Sequence, residues 1–465
     1  MTGSCWLSAH AIASSVNGGS RTAREIVAGA LERISVGNGG LNAFTAITTE
    51  RALAKAVAVD AATARGERLP LAGVPFAVKN LFDVAGLPTL AGSKINRERL
   101  PAARDAVLIA RLEAAGGVLV GSLNMGEYAY DFTGENAHDG PSRNPHEPAR
   151  MTGGSSGGSG GAVAAGLVPL SLGSDTNGSI RVPASFCGLF GLKPTYGRLP
   201  RTGTFPFVTS LDHLGPLART VEDLALSYDV MQGCDPNDPA CAARPAEPVL
   251  PGLAAGIGGV RIAVAGGYFR EGAFPEAIAA VTRIAAALDA AREIEIPEAA
   301  TARAAAYLIT ASEAAALHLD RLRTRAGDFD PAVRDRLIAG AMIPHALVER
   351  AQRFRRWYRA EVLKLFREVD AILAPATPCT APQIGQSTIE LAGETLPLRP
   401  NIGIFTQPFS FIGLPVVAVP VAFAPLPIAV QIITAPGRED LALRIAHYLE
   451  MSGAAVAPRP KLAGP

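Results

Sequence analysis

Cysteine is scarce in this chain, which has five cysteines among 465 residues. They lack the spacing of zinc or dithiol sites and lie at Cys5, Cys187, Cys234, Cys241 and Cys379. An odd, scattered set excludes a disulfide framework and is typical of a reducing cytoplasm. Histidine is also sparse, with seven residues and no HExxH pattern. We therefore expect neither a metal site nor a cofactor.

A strong excess of charge is absent as well. Lysine and arginine total 43, and aspartate and glutamate total 42, which leaves a net charge of +1 at pH 7. This balance gives no reason to expect nucleic acid or an acidic membrane as a direct partner. Apolar runs are interrupted before about 18 residues, too early for a membrane-spanning helix, and the N-terminus has no signal-peptide pattern. We expect a cytoplasmic protein.

Glycine, by contrast, is abundant and concentrates around two serines. Ser155 lies in GGSSGGSGG and Ser179 in SLGSDTNGSIR, while Lys79 ends the apolar run VPFAVK upstream. Glycine-rich turns can direct consecutive backbone N–H groups at one point. A serine among such amides combines a nucleophile with donors for the oxyanion that its attack creates. Because burial lowers the pKa of a lysine, Lys79 can accept the proton, and the pattern predicts a serine hydrolase without a catalytic histidine.

Two other interpretations of the glycine-rich segment are weaker. Flexible linkers are Gly/Ser-rich, but this segment runs directly into the apolar sequence AVAAGLVPLSLGS. A P-loop requires Lys followed by Ser or Thr after its last glycine, and GGSSGGSGGA lacks that pair. The dinucleotide fingerprint requires a preceding strand, for which ARMT is a poor candidate.

Helix and strand patterns alternate along the chain. DAVLIARLEAAGG places apolar residues at helical spacing between an Asp N-cap and a terminating glycine, and VLV follows it as a short buried strand. GVRIAVAGG, AILAPATP, LPVVAVPV and IAVQIIT are further candidates for buried strands. Strands buried on both faces between helices predict an α/β protein with a large mixed, mostly parallel sheet.

The chain resembles the amidase signature family. The resemblance is carried by GGSSGGSGG and SLGSDTNGSIRVPASFCGLFGLKPTYGR, and it extends from LAGVPFAVKNLFDVAGLPTLAGS through LNMGEYAYDFTGEN to TQPFSFIGLPVVAVPV. It implies a large twisted mixed sheet covered by helices on both faces. It also implies one domain over residues 1–465, with a catalytic core at about 65–220 and a C-terminal half that completes the sheet and the substrate pocket.

The family uses a Ser–cis-Ser–Lys triad. Position by position, the resemblance makes Ser179 the nucleophile, Ser155 the bridging serine on a cis peptide after Gly154, and Lys79 the terminal base. The backbone amides that it implies for the oxyanion hole belong to Thr176, Asn177, Gly178 and Ser179.

Two charged residues flank the predicted nucleophile. Asp175 and Arg181 could be mistaken for an acid and a base. We expect them instead to keep the turn rigid, through an ion pair or through hydrogen bonds to the backbone.

The basic segment RAQRFRRWYRAEVLKLF bears on the substrate. The glutaminase subunits of tRNA-dependent amidotransferases are similar here, and their arginine for the α-carboxylate of glutamine matches Arg355. A guanidinium binds a carboxylate through two parallel hydrogen bonds, although Arg355 on a solvated helix face is the alternative. The same relatives have an aspartate for the α-ammonium where this chain has Gly403. The resemblance therefore implies a carboxylated substrate that is not an α-amino acid.

Within the family, FAVKNLFDVAGLPTLAGSKINRE, SLDHLGPLA and AQRFRRWYR resemble the 1-carboxybiuret hydrolases of cyanuric acid degradation. This implies an amidohydrolase that releases ammonia from a small carboxylated urea-type substrate through an acyl-enzyme on Ser179. It also implies a homodimer of the large chain that works with a small helical accessory subunit. The glutaminase subunit of a tRNA-dependent amidotransferase and an amidase for another small amide remain alternatives.

Overall fold

The computed structural model describes residues 6–423 and 425–461. Cys5 lies outside these ranges, and the other four cysteines are free thiols. The strands within the described ranges are β1 (Phe44–Ile47), β2 (Pro75–Lys79), β3 (Val118–Leu123), β4 (Arg143–Asn144), β5 (Glu147–Met151), β6 (Leu170–Asp175), β7 (Phe190–Lys193), β8 (His213–Ala218), β9 (Ile262–Ala265), β10 (Arg292–Ile294), β11 (Ala371–Pro375), β12 (Thr388–Leu391), β13 (Glu394–Pro397), β14 (Val416–Val421) and β15 (Ile428–Thr434).

The helices of the same ranges are α1 (Ala9–Asn17), α2 (Ala23–Leu41), α3 (Thr49–Ala64), α4 (Val107–Ala114), α5 (Gly157–Ala164), α6 (Arg181–Cys187), α7 (Val221–Met231), α8 (Pro275–Ala287), α9 (Ala299–Arg325), α10 (Pro331–Ala341), α11 (His345–Leu365), α12 (Leu398–Asn401), α13 (Gln407–Ser410) and α14 (Glu439–Met451). In the described part of the chain, no helix combines the length and the apolar character needed to cross a membrane.

Eleven strands form one sheet in the order β1-β3-β2-β6-β8-β7-β14-β15-β11-β9-β10. Parallel pairs lie toward its two ends, in β3–β2–β6 and β11–β9–β10. The middle, from β6 to β11, is antiparallel. The predicted α/β class with a large mixed sheet is confirmed. The buried runs did not indicate the antiparallel middle, because an apolar strand has the same pattern in either direction.

Helices cover both faces of this sheet, as the sequence predicts. Every residue of β2 and of β6 is buried. Since successive side chains of a strand point to opposite faces, neither face at this part of the sheet is open to solvent. Helices α2, α5, α6, α7, α8 and α14 pack against the strands.

The neighbours β2 and β6 determine where the site lies. They run parallel, with Phe76 opposite Leu170 and Val78 opposite Leu172, so their carboxyl ends meet at one edge of the sheet. Lys79 is the last residue of β2, and Asp175 is the last residue of β6. Ligands of open α/β sheets bind at such carboxyl ends.

Helices α10 and α11 both pack on α9, and side chains of α9 and α10 reach this edge. Thr310 of α9 accepts a hydrogen bond from Asn177 Nδ2 at 3.0 Å. Arg336 of α10 donates through Nη1 to the carbonyl oxygen of Tyr130 at 2.8 Å. The helical layer therefore contributes side chains to the same edge as β2 and β6.

Candidate active site

Lys79 is fully buried at the end of β2. Its Nζ donates to Ser155 Oγ at 2.6 Å and to Ser174 Oγ at 2.8 Å. Burial lowers the pKa of Lys79 to about 7, although nearby carboxylates act in the opposite direction. A lysine with this pKa is substantially neutral near pH 7 and can accept a proton.

Ser155 follows Gly154 across a cis peptide bond, which agrees with the position implied by the resemblance. The loop packs tightly against residues 131–134: Gly154 N donates to Phe132 O at 2.8 Å. A Cβ at position 154 would lie only 2.8 Å from the backbone nitrogen of Gly134. Glycine is therefore required there by close approach, and the contact keeps Ser155 within reach of Lys79.

Ser179 lies in the loop 176–180, between β6 and α6. Thr406 Oγ1 donates to the carbonyl oxygen of Asn177 at 2.6 Å, and Thr176 Oγ1 donates to Asp212 Oδ1 at 2.6 Å. The backbone N–H groups of residues 176 to 179 meet no acceptor within residues 6–423 and 425–461. Hydrogen bonds thus fix the Thr176 side chain and the Asn177 carbonyl of this loop. Its four consecutive N–H groups remain available for a ligand.

Asp175 and Arg181 form a fully buried ion pair beside this loop. Arg181 donates through Nε and Nη2 to the two carboxylate oxygens, both at 2.9 Å. Its Nη1 donates to Gln431 Oε1 at 2.7 Å and to Thr406 O at 3.0 Å. Burial alone would raise the pKa of Asp175, but the guanidinium holds it below its usual range. This geometry fits the structural role expected for the pair, since it connects the loop 176–180 to Thr406 and to Gln431 of β15.

A small, narrow cleft opens beside Ser179. The residues that line it are Ala129, Tyr130, Asp131, Phe132, Thr176, Asn177, Ser179, Phe207, Tyr307, Thr310, Arg336 and Gln407. Arg336 supplies the positive charge of this lining. The Asp131 carboxylate is already bonded, because it accepts from Thr133 N at 2.9 Å and from Gly134 N at 2.7 Å and pairs with Arg399. The cleft therefore suits an anionic group better than a cationic one.

Arg355, the predicted carboxylate ligand, does not line this cleft. Its Nε donates to Phe411 O at 2.6 Å, and its Nη2 donates to Ser210 O at 2.8 Å. The guanidinium also lies over the Phe411 ring, 5.7 Å from its centre. Two of its five N–H donors are thus bonded to backbone carbonyls, through which Arg355 connects α11 to two loops, and its role as the carboxylate ligand stays a prediction.

Arg336 is a cleft residue that the sequence reasoning missed. Its guanidinium carbon lies 3.5 Å from the centre of the Tyr130 ring. Nothing in PAVRDRLIAGA distinguishes Arg336 from its neighbour Arg334, because only the packing of α10 decides which one reaches the cleft. Ser174, the second acceptor for Lys79, was missed too. Its signal was a polar residue next to the end of a fully buried strand, β6.

Gly403 lies behind the cleft wall. A Cβ built there would lie 2.6 Å from Cε2 of Phe132. The position at which glutamine-using relatives have an aspartate is therefore covered by an aromatic ring.

Across the described ranges, no group of three His, Cys, Asp or Glu residues is arranged to hold a metal ion. His213, the histidine nearest to Asp175, has its Nδ1 3.0 Å from Asp175 O and 2.6 Å from Leu211 O. Burial lowers its pKa, so it remains neutral inside the fold.

Three features together define a class of protein. They are the mixed sheet, the lysine bonded to a serine at a strand end, and the second serine in a loop of free N–H groups. They are the features of a serine-dependent amide hydrolase. The Amidase family model matches residues 25–443. The chain belongs to the amidase signature family, and it is a hydrolase of non-peptide C–N bonds.

Individual relatives agree with this assignment. The chain is 57% identical over 441 residues to AtzE, a 1-carboxybiuret hydrolase subunit of Pseudomonas sp. (strain ADP), covering 94% of this chain and 96% of that protein. It is 39% identical over 459 residues to the A-type subunit of glutamyl-tRNA(Gln) amidotransferase of Roseiflexus sp. (strain RS-1), covering 92% of each. A solved structure described as a vestigial protein complex that reveals the origins of an s-triazine catabolic enzyme superposes with a TM-score of 0.96. The two chains are 55% identical, and the matched region covers 97% of this chain and 100% of the other.

Proposed function

We propose that this protein hydrolyses an amide bond of a small carboxylated urea derivative, such as 1-carboxybiuret, and releases ammonia. The observation that carries the proposal is the placement of Arg336 in the cleft beside Ser179. Its guanidinium can pair with a carboxylate while the amide carbon of a short substrate stands at the serine. The strong similarity to AtzE supports the same substrate class.

Acylation begins at Ser179 in this proposal. Its hydroxyl oxygen attacks the amide carbon while its proton passes to Ser155 Oγ, whose own proton passes to neutral Lys79 Nζ. The N–H groups of residues 176 to 179 stabilise the oxyanion. Collapse of the tetrahedral intermediate breaks the C–N bond, and the proton returns through Ser155 to the leaving nitrogen, which departs as ammonia.

Deacylation repeats the same proton route with water. Water attacks the acyl-enzyme on Ser179, Lys79 takes its proton through Ser155, and the proton then returns to Ser179 as the acid leaves. The hydrogen bond between Lys79 Nζ and Ser155 Oγ, at 2.6 Å, supports this relay. Ser174 accepts a second hydrogen bond from Lys79 and orients the amine.

The wall formed by Phe132 and Gly403 supports a substrate without an ammonium group. Glutamine carries both an α-carboxylate and an α-ammonium. In this cleft Arg336 can take the carboxylate, but Gly403 supplies no carboxylate for the ammonium, and the Asp131 carboxylate already pairs with Arg399. A carboxylated ureide carries the carboxylate alone, so it suits this set of groups better.

Ammonia release from a panel of amides tests the proposal. The panel contains freshly prepared 1-carboxybiuret, biuret, allophanate, malonamate, glutamine and an aryl amide. We expect 1-carboxybiuret to have the highest kcat/KM and glutamine to be a poor substrate. Efficient glutamine hydrolysis would instead favour the glutaminase subunit of a tRNA-dependent amidotransferase.

We also propose that the protein works in the cytoplasm as a homodimer with a small helical accessory subunit. The relative AtzE is named as a hydrolase subunit, and a close structural neighbour is described as a protein complex. Light scattering of the purified chain, alone and after co-expression with a small protein encoded beside it, tests both associations. A monomer that gains no partner and has full activity would contradict them.

A further inference from the structure

Glu127 is a buried carboxylate that the proposed reaction does not use. Its side chain is fully enclosed, and burial raises its pKa. Enclosing a carboxylate costs free energy unless hydrogen bonds replace the lost water. Its hydrogen-bond partners therefore indicate what it does.

Those partners come from three separate parts of the chain. Glu127 Oε1 accepts from Ser93 Oγ at 2.7 Å and lies 3.0 Å from His138 Nε2. Glu127 Oε2 accepts from the backbone N–H of Asp330 at 2.7 Å. Asp330 is the residue that immediately precedes helix α10, so Glu127 holds the beginning of that helix.

The Asp330 side chain also makes hydrogen bonds, both to the first turn of α10 and to residue 137. Its Oδ1 accepts from Ala332 N at 2.9 Å and caps α10, while its Oδ2 accepts from Ala137 N at 3.0 Å. Two carboxylates thus connect the start of α10 to residues 127–137, one from each side. We refer to this pair, Glu127 and Asp330, as the α10 joint.

The α10 joint connects two walls of the cleft. Residues 127–137 include Tyr130 and Phe132, which line it, and α10 carries Arg336. Arg336 lies about 9 Å along the helix from Asp330, given the rise of about 1.5 Å per residue. Its Nη1 donates to Tyr130 O at 2.8 Å. Because a helix is stiff, a shift of its first turn moves the Arg336 guanidinium as well.

We propose that Glu127 is a positioning residue that fixes, through the start of α10, where Arg336 stands relative to Ser179. The inference rests on the carboxylate-binding role proposed for Arg336. Productive geometry at such sites requires placement to within about 0.5 Å. Since an uncharged compound makes no ion pair with Arg336, its reaction at Ser179 should depend on the α10 joint far less than hydrolysis of 1-carboxybiuret does.

The test is Glu127→Gln, measured with 1-carboxybiuret and with an uncharged fluorophosphonate that labels Ser179. Glutamine keeps the size of the side chain but has one acceptor oxygen, so it cannot serve Asp330 N and the Ser93–His138 pair together. We expect kcat/KM for 1-carboxybiuret to fall about tenfold, mainly through KM, a moderate value for misplacement of a binding group. The labelling rate of Ser179 should change less than about twofold, well below that tenfold loss.

A second variant and a matched control accompany this measurement. Asp330→Asn keeps the backbone donor and the cap of α10 but loses the acceptor for Ala137, so it should raise KM as well. Asp223 is a buried carboxylate with similar bonds elsewhere, since it accepts from Ala9 N at 2.9 Å and from His10 N at 3.0 Å. Asp223→Asn should lower the melting temperature and leave KM for 1-carboxybiuret unchanged.

The outcomes separate the two proposals. If Glu127→Gln slows labelling and 1-carboxybiuret hydrolysis equally, or lowers the melting temperature without raising KM, the positioning role of Glu127 is wrong. Arg336→Ala is measured beside it. If Arg336→Ala leaves KM unchanged, the proposed carboxylate site itself fails, whereas a raised KM in Arg336→Ala alone refutes only the role of Glu127.

Discussion

The ring of Phe132 occupies the space into which a side chain at position 403 would project. A Cβ on Gly403 would lie 2.6 Å from Cε2 and 2.9 Å from Cε1 of that ring. Carbon atoms in good contact are about 3.5–4.0 Å apart, so the two positions cannot both carry side chains in this arrangement. The size of the residue at 403 and the wall of the cleft are therefore coupled.

Gly403→Ala should be destabilising and should impair catalysis, because the new methyl group displaces Phe132 into the cleft. We expect a loss of about 1–3 kcal/mol in unfolding free energy, the usual scale for overpacking. Adding Phe132→Ala should recover part of this loss. Gly327→Ala is the matched control, because a Cβ there meets nothing within 4 Å. Chemical denaturation of Gly403→Ala, Phe132→Ala, the double variant and Gly327→Ala measures the coupling, and strict additivity of the two single changes would argue against it.

Ser179→Ala should abolish amide hydrolysis, since Ser179 is the only serine among the described residues that line the cleft. Lys79→Ala should cost nearly as much, at least about 10³-fold, because residues that act as one unit have strongly non-additive effects. Ser155→Ala should be milder, since a water molecule can bridge part of the gap. Ser174→Ala removes the second acceptor, which orients the Lys79 amine, and it should cost less activity than Lys79→Ala. Mass spectrometry should find the acyl group on Ser179, and a Lys79→Ala enzyme of near-normal rate at pH 7 would rule out the relay.

The pH dependence of kcat/KM should follow the ionisation of Lys79. Its pKa is lowered to about 7, and only the neutral amine accepts a proton, so activity should rise through pH 7 and then level off. Lys193 offers a control because burial lowers its pKa to about 7 as well, while its Nζ donates only to Pro194 O among the described residues, at 3.0 Å. Lys193→Met should leave the shape of the profile unchanged. If the residual activity of Lys79→Ala still rose through pH 7, a group other than Lys79 would cause the pH dependence of kcat/KM.

The lowered pKa of Lys79 should also make the free energy of unfolding depend on pH, in a direction that can be stated. The pKa of Lys79 is about 7 in the folded chain and near its ordinary value of 10.5 when unfolded. Between these values the unfolded chain binds more protons, so this lysine makes stability increase from pH 7 towards pH 10.5. Lys79→Met should flatten that part of the curve in urea unfolding. An unchanged slope would mean that Lys79 stays charged in the folded protein.

Arg336→Ala should lower kcat/KM for carboxylated substrates by about ten- to a hundredfold, which corresponds to about 1.5–3 kcal/mol for a hydrogen-bonded charge. Biuret, which has no carboxylate, should lose far less. Arg336→Lys should also be harmful, because an ammonium cannot reproduce the planar fork. Arg355→Ala is the matched comparison: its partners are the carbonyls of Phe411 and Ser210, so it should affect both substrates equally. A selective loss in Arg355→Ala would instead identify Arg355 as the ligand of the carboxylate.

The residues of the proposed triad could be predicted because each lies in a short segment with its own signature. Ser155 and Ser179 are surrounded by glycines, and Lys79 ends a fully apolar strand. The parallel pairing of β2 with β6 then brings Lys79 to the serine loops. The local sequence patterns and the strand pairing both place these three residues at one edge of the sheet. Their proximity could therefore be predicted without knowing contacts between distant parts of the chain.

The arginine proposed to bind the carboxylate could not be predicted in the same way. Arg355 and Arg336 both lie on helices rich in arginine, and which one reaches the cleft depends on how α9, α10 and α11 pack together. The contact between Phe132 and Gly403 joins positions far apart in sequence, and neither segment indicates the other. These features depend on tertiary placement, which hydrophobic periodicity does not encode.

The Asp175–Arg181 pair has a consequence for the order in which the protein becomes active during synthesis. All three residues of the proposed triad leave the ribosome long before Gln431, to which Arg181 donates at 2.7 Å. Until β14 and β15 emerge, the guanidinium lacks this partner, and the middle of the sheet is missing two adjacent strands. A nascent chain that already contains Lys79, Ser155 and Ser179 is therefore expected to remain inert. We expect hydrolysis to begin only after β14 and β15 have joined the sheet.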